Sequence, residues 1–251
     1  MPNWVTNIIK VEKNIDEFKK RFINENEEFD FNKVFPMPKD LEISSGTFSY
    51  KYLENEQIKK LITENYNTTD TQKEFVDKVL AKVKENNLLP ISESEEAKKR
   101  ELDKVTCQTE GYFNLQRYGY EDWYGWSIDK WGTKWNAQDT YIVEDCALYI
   151  IFDTAWAMPE PILQEIAKDF DFTCVFADED IGYNLGVVEA KDGQFFDSDF
   201  ENVNTYFTAI CIKNNTVSDK EYLHELINDF GIEVTDSEFD KVVETLTPYL
   251  P

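Results

Sequence analysis

Apolar positions change spacing several times along the chain, and each change marks an element. Trp4-Val5-Thr6-Asn7 running into Ile8-Ile9-Lys10-Val11 is rich in β-branched residues and predicts a strand almost at the first residue. Asn14 with Glu17 three residues on has the spacing of a capping box, and Ile15, Phe18, Phe22 and Ile23 then recur at helical spacing. The chain thus opens β-α. Alternating aromatics from Phe29 to Phe35 predict a short extended segment, which Pro36 and Pro38 stop. Leu41 to Gly46 reads as a loop. Residues 54–88 carry helical spacing, with Phe75, Val76, Val79, Leu80 and Val83 on one face and Leu89-Pro90 at the end. Ser92 to Asp103 is charged and reads as a further helix or an exposed connection. Together these predict a helical insertion over about 45–115.

Ala147 to Phe152 is almost unbroken apolar sequence, the pattern of a central strand. Pro159 and Pro161 suit the first turn of a helix whose core face is Ile162, Leu163, Ile166, Ala167 and Phe170. Phe172 to Phe176 predicts the next strand, and Asp192-Gly193 a hairpin turn between 181–188 and 194–196. Tyr206 to Ile212 reads as one more strand. Ser218…Glu221 and Thr235…Glu238 each have capping-box spacing and predict two short helices. The order β-α-insertion-β-β-α-β predicts an α+β protein with a ferredoxin-like split β-α-β antiparallel sheet over 1–212. Residues 213–251 then form an acidic two-helix C-terminal extension.

Between the insertion and the Ala147 strand, tryptophans crowd together. Four of the six lie between Trp123 and Trp135, and Trp156 is a fifth. Large aromatics bring the most burial energy per residue, so Trp131-Gly132-Thr133-Lys134-Trp135-Asn136 is expected to anchor the fold. Two readings of this loop stand. It plugs one end of the sheet, with Lys134 paired to Asp153. Alternatively Trp131, Lys134, Trp135, Asn136, Asp153 and Trp156 hold a small ligand or substrate.

Charge alters the functional picture more than composition does. The chain has 251 residues and a net charge of −24, and residues 171–251 alone carry 18 acidic against 4 basic side chains. Such a surface repels nucleic acid and anionic membranes and attracts basic proteins, including those that themselves bind nucleic acid. The expected partner-facing carboxylates are Asp178, Glu179, Asp180, Asp197, Asp199, Glu201, Glu233, Asp236 and Glu238. As a metal site the run from Asp197 fails, because an EF-hand loop needs a sixth-position glycine and an acidic twelfth residue, where Thr208 stands. His224 has no partner for a triad, and no phosphate-cradling glycine loop occurs. No cofactor is therefore expected. Cys107, Cys146, Cys174 and Cys211 form no CxxC, and the last three sit in apolar runs, which predicts buried reduced thiols. With no long apolar segment or leader, the expected location is the cytoplasm.

Four motifs carry a family resemblance. They are Met1-Pro2-Asn3-Trp4 with Asn7, Phe31-Asn32-Lys33-Val34-Phe35-Pro36-Met37-Pro38, Trp131 to Ala137, and Phe152-Asp153-Thr154-Ala155-Trp156 before Pro159. In this order, over roughly 1–190, they resemble the YubB-type ferredoxin-like domain family, also described as Api-type phage proteins. The resemblance implies a protein carried by bacteriophages, prophages or conjugative plasmids. "Ferredoxin-like" here means topology, since iron–sulfur ligation needs clustered cysteines. The leading expectation is a non-enzymatic acidic protein that engages a basic host factor of defence or nucleic-acid processing. The alternatives are a ligand-binding protein or enzyme built on the tryptophan loop, and a structural subunit of a virion or conjugation apparatus.

Overall fold

A computed structural model describes residues 3–45, 55–89 and 94–251. Met1 and Pro2 of the first motif, Gly46 and Pro90 lie outside the described residues. The chain divides into two units, Met1–Pro36 with Ser127–Pro251, and Met37–Trp126.

In the first unit the described strands are β1 (Trp4–Val11), β2 (Gln138–Glu144), β3 (Leu148–Ala155), β4 (Phe172–Asp178), β5 (Leu185–Lys191) and β6 (Gln194–Ser198). They form one sheet in the order β2-β3-β1-β4-β5-β6, with every neighbouring pair antiparallel. The four strands β2-β3-β1-β4 have the ferredoxin-like order, and the hairpin β5-β6 widens the sheet beyond it.

Each strand alternates its side chains between two faces, and helices cover both. On one face Ile8, Tyr149, Val175, Ala177 and Val187 join a core built with α7 (Thr205–Lys213), α8 (Lys220–Asp229) and α9 (Asp236–Leu246). On the other, Phe152 meets Phe29 and Phe31 edge-on at centroid distances of 5.0 and 6.0 Å. Phe18 of α1 (Ile15–Phe22) meets Phe170, just beyond α6 (Glu160–Ala167), at 5.2 Å.

Three local expectations are corrected. The segment expected as a strand, Tyr206 to Ile212, is helix α7. All of Phe207 to Ile212 is buried, so neither alternation nor a helical stripe shows in its sequence. The Asn204 side chain decides the matter by accepting the Phe207 N–H as an N-cap. Helix α8 is capped by Asp219 rather than Ser218. Asn14 is left-handed (φ 56°) and caps α1 with its backbone only, whereas Thr235 and Glu238 do form a capping box. Leu223 and Ile227 of α8 and Phe239, Val242 and Leu246 of α9 share the core of α7 and the sheet.

The second unit, wider than the expected 45–115, holds α2 (Glu56–Asn65), α3 (Gln72–Glu85) and α4 (Glu95–Tyr118). Ile58, Ile62, Phe75, Val79, Val83, Val105 and Phe113 form its core. Buried Asn114 braces it, donating to the carbonyls of Asp40 (2.7 Å) and Glu121 (3.0 Å) and accepting from Gln72 (2.8 Å). The unit boundary falls within α5 (Trp123–Trp131). No helix among the described residues is long and apolar enough to cross a membrane.

The cysteines split. Cys174 and Cys211 are buried, and burial pushes each thiol up to about 12. Cys146, expected to be buried, is exposed because the apolar run begins one residue later and leaves it in the β2–β3 turn. A thiol-reactive disulfide reagent should therefore label Cys146 in the folded protein. Cys174 and Cys211 should react only after denaturation, and rapid native-state labelling of either would contradict this packing.

Candidate functional site

Antiparallel register brings one end of the sheet together. Trp4 pairs with Ala155, Val5 with Asp178, Ala177 with Leu185, and Val187 with Ser198. The start of β1 therefore lies beside the ends of β3 and β4, the start of β5 and the end of β6. The tryptophan loop closes this end.

The loop is tied down from three directions. Buried Thr133 Oγ1 donates to the Ala155 carbonyl (2.8 Å) and accepts the Ala155 N–H (3.0 Å), satisfying the end of β3. Trp131 Nε1 donates to the Phe35 carbonyl at 3.0 Å. Asn136 Oδ1 accepts the N–H groups of Phe31 (2.8 Å) and Ala137 (2.9 Å), while its Nδ2 donates to Asp30 (2.7 Å). Gly132 is left-handed (φ 77°), and a Cβ there would lie 2.5 Å from Pro161 Cδ. Trp131 and Asn136, expected as ligand contacts, are thus engaged in holding the loop.

Lys134, Trp135 and Trp156 form a separate aromatic group. Lys134 Nζ lies 4.3 Å from the Trp135 ring centroid and 5.3 Å from that of Trp156, a double cation–π contact. The ion pair expected between Lys134 and Asp153 does not form. Asp153 instead accepts from Thr6 Oγ1 (2.8 Å), which also lies 3.4 Å from Lys213 Nζ. Burial raises the Asp153 pKa, against the opposing pull of Thr6 and Lys213. Trp156 is 43% exposed and left-handed (φ 73°). Beneath it, Asn7 Nδ2 donates to Thr154 Oγ1 (2.8 Å), whose hydroxyl donates to the Ala157 carbonyl (2.8 Å).

The acidic stretch 178–180 reaches the same place. Asp178 is buried and turns inward, accepting the Asp180 N–H and the Asn184 side chain, both at 2.9 Å. Glu179 exchanges contacts with Trp4: its carboxylate accepts the Trp4 N–H and its own N–H meets the Trp4 carbonyl, both at 3.1 Å. The Trp4 ring in turn lies 5.7 Å from Trp135. Asp180 is exposed near Tyr206, whose ring sits 6.4 Å from that of Tyr183. The hydrogen bond that Tyr206 makes to Tyr183 as a neutral phenol, with the nearby Asp180, raises the Tyr206 pKa.

Exposed Asp199 and Glu201 follow β6 at this end, with Asp197 one residue inside it. The α9 cap approaches too. The backbone N–H and the hydroxyl of Thr235 lower the Glu238 pKa, with Asn204, the α7 cap, adding to them. Glu233 and Asp236 are exposed beside that cap. Among the described residues no three of these carboxylates, histidine or cysteines come together as metal ligands.

Members of the two groups predicted separately, Trp135 with Lys134 and Trp156 on one side and Glu179 with Asp180 on the other, are therefore neighbours through Trp4. Tyr183 and Tyr206 belong to it and were not singled out in the sequence. Their signal was topological: Tyr183 lies in the β4–β5 connection that carries Asp180, and Tyr206 opens α7 against it.

Residues 130–210 match the family model described as the ferredoxin-like domain in Api92-like protein. This match carries the tryptophan loop, β2 to β6 and most of α7, and so most of the surface just described. Among solved structures, the crystal structure of a protein api92 from Yersinia pseudotuberculosis is similar at 10% identity and a TM-score of 0.38, covering 80% of this chain and 98% of that one. No curated protein matches the chain.

Two substitutions check this geometry. Gly132→Ala should lower stability by roughly 2–4 kcal/mol in denaturant titration, from overpacking against Pro161 plus the left-handed backbone. A raised carboxyl pKa means that the folded state holds its proton more tightly, so Asp153 stabilises most below its ordinary value of 3.8 and loses that contribution as pH rises through the raised folded value. Asp153→Asn should therefore gain on the parent between acid and neutral pH. An Asp153→Asn protein that loses ground toward neutral pH would show the carboxylate to be stabilising instead.

Proposed function

We propose that the chain is a binding protein whose acidic and aromatic sheet end engages a basic protein. The observation that carries this reading is the convergence of Trp4, Trp135, Trp156, Tyr183 and Tyr206 with Glu179, Asp180, Asp199 and Glu201 at one end of the sheet. Aromatic faces and carboxylates side by side suit arginine, whose planar guanidinium stacks on one and pairs with the other. Tryptophan and tyrosine are also the residues that most often dominate interface energy. The net charge of −24 adds long-range steering of a basic partner and repels nucleic acid and anionic membranes.

In the setting implied by the resemblance to Api-type phage proteins, the partner is a host protein of defence or nucleic-acid processing, met in the bacterial cytoplasm. Binding inhibits it by covering the basic surface that meets nucleic acid. The tryptophan loop serves this reading better than an enclosed ligand site, because Trp131 and Asn136 are spent on the fold while Lys134, Trp135 and Trp156 border the acidic group.

The test is capture from bacterial lysate at low and high salt with identification by mass spectrometry, using the parent, an Asp180→Lys/Asp199→Lys/Glu201→Lys variant and Trp156→Ala. The expected result is one basic protein that is lost at high salt and lost by both variants. Capture indifferent to salt and to charge reversal would overturn the proposal.

A further inference from the structure

The opposite end of the sheet has a different chemistry. There the face covered by α7, α8 and α9 opens into a cleft of ≈ 380 Å³, walled by Pro248 and Tyr249 beyond α9. That volume lies within the roughly 300–1,000 Å³ usual for small-molecule sites. Lys10, Thr173 and Glu189 form one row across β1, β4 and β5, because Lys10 pairs with Thr173 and Thr173 with Glu189. Lys13 and Lys191 stand at the rim.

Some of these charges are already engaged. Lys10 pairs with Glu12 at 2.7 Å and donates to the Pro248 carbonyl at 2.8 Å. Asp171, also in the lining, accepts the Asp192 N–H at 2.9 Å. Lys13, Lys191 and Glu189 form no ion pair among the described residues. A backbone N–H does not neutralise the Asp171 carboxylate, so two ammonium groups and two carboxylates, Glu189 and Asp171, remain around a cleft with Tyr249 in its wall. A simple anion would enter against the field of a chain at −24, and a simple cation would meet the lysines. A molecule carrying both charges meets neither obstacle.

We propose that this cleft binds a small zwitterion of the α-amino acid class, its carboxylate toward Lys13 and Lys191 and its ammonium toward Glu189. Its side chain lies along Tyr249. This site is independent of the acidic surface, which occupies the other end of the same strands.

The probes are the proteinogenic amino acids, screened one at a time by thermal shift on the full chain and followed by calorimetry. At least one is expected to raise Tm and bind. Its N-acetyl derivative and its decarboxylated amine should each bind about tenfold more weakly or worse. Glu189→Gln and Lys191→Gln, both at exposed positions, should weaken binding by a similar factor with unchanged circular dichroism. The Asp180→Lys/Asp199→Lys/Glu201→Lys variant should bind the probe like the parent, which separates this site from the partner surface. The proposal is overturned if no amino acid binds. It is equally overturned if the N-acetyl form binds as well as the parent amino acid, or if binding survives both cleft substitutions.

Discussion

β1 is hydrogen-bonded along both edges, to β3 and to β4, and everything at either end of the sheet depends on that double pairing. Val5, Ile8, Ile9 and Val11 are fully buried or nearly so, each contributing about 1.5–3 kcal/mol of hydrophobic stabilisation. A slip of one residue would turn this set to the wrong faces, so the register is held firmly. Because the register is firm, Trp4 must lie between the end of β3 and the turn after β4. Two segments far apart in the chain thereby become neighbours.

Asn7 shows what that arrangement costs. Its buried Oδ1 has no hydrogen-bond partner among the described residues, an omission worth about 1–3 kcal/mol. An apolar residue would avoid this penalty but would lose the amide that fixes the Thr154 hydroxyl, and with it the bond from Thr154 to Ala157. That bond spans the left-handed Trp156, a conformation that a bulky residue adopts only when its surroundings impose it. The buried amide and the strained turn are best understood together: the first helps to hold the second, and the second presents an indole at the surface.

The sequence was most legible where burial was one-sided and least where it was complete. β1, β3, β4 and the hairpin were readable from β-branched runs and the Asp192-Gly193 turn, and the strand order followed from element order. Helix α7 was not, because a segment buried on every side has no periodic contrast to read. Capping boxes were unreliable for a related reason. Thr235 with Glu238 fulfils the pattern and Asn14 with Glu17 does not, since a side-chain cap needs an extended N-cap residue and Asn14 is left-handed. Among the site residues, types were readable but availability was not. Asp178 and Asn136 look like contact residues in the sequence, yet each spends its polar atoms on neighbouring backbone and side chains.

The same antiparallel register explains why the two ends of the sheet differ. Strands that run in opposite directions bring the start of one beside the end of the next, so charges far apart in the chain collect by strand end. Asp178 to Asp180, Asp199 and Glu201 fall at one end, while Lys10, Lys13 and Lys191 fall at the other. A carboxylate and an ammonium separated by the length of a strand, about 3.3 Å per residue, lie beyond the screening length of physiological salt and scarcely neutralise one another. The net charge therefore describes the whole chain poorly. Its acidic end presents a predominantly negative field, interrupted by Lys134 and Lys213, to a macromolecule, and its other end holds a local balance of charges that a small molecule can enter.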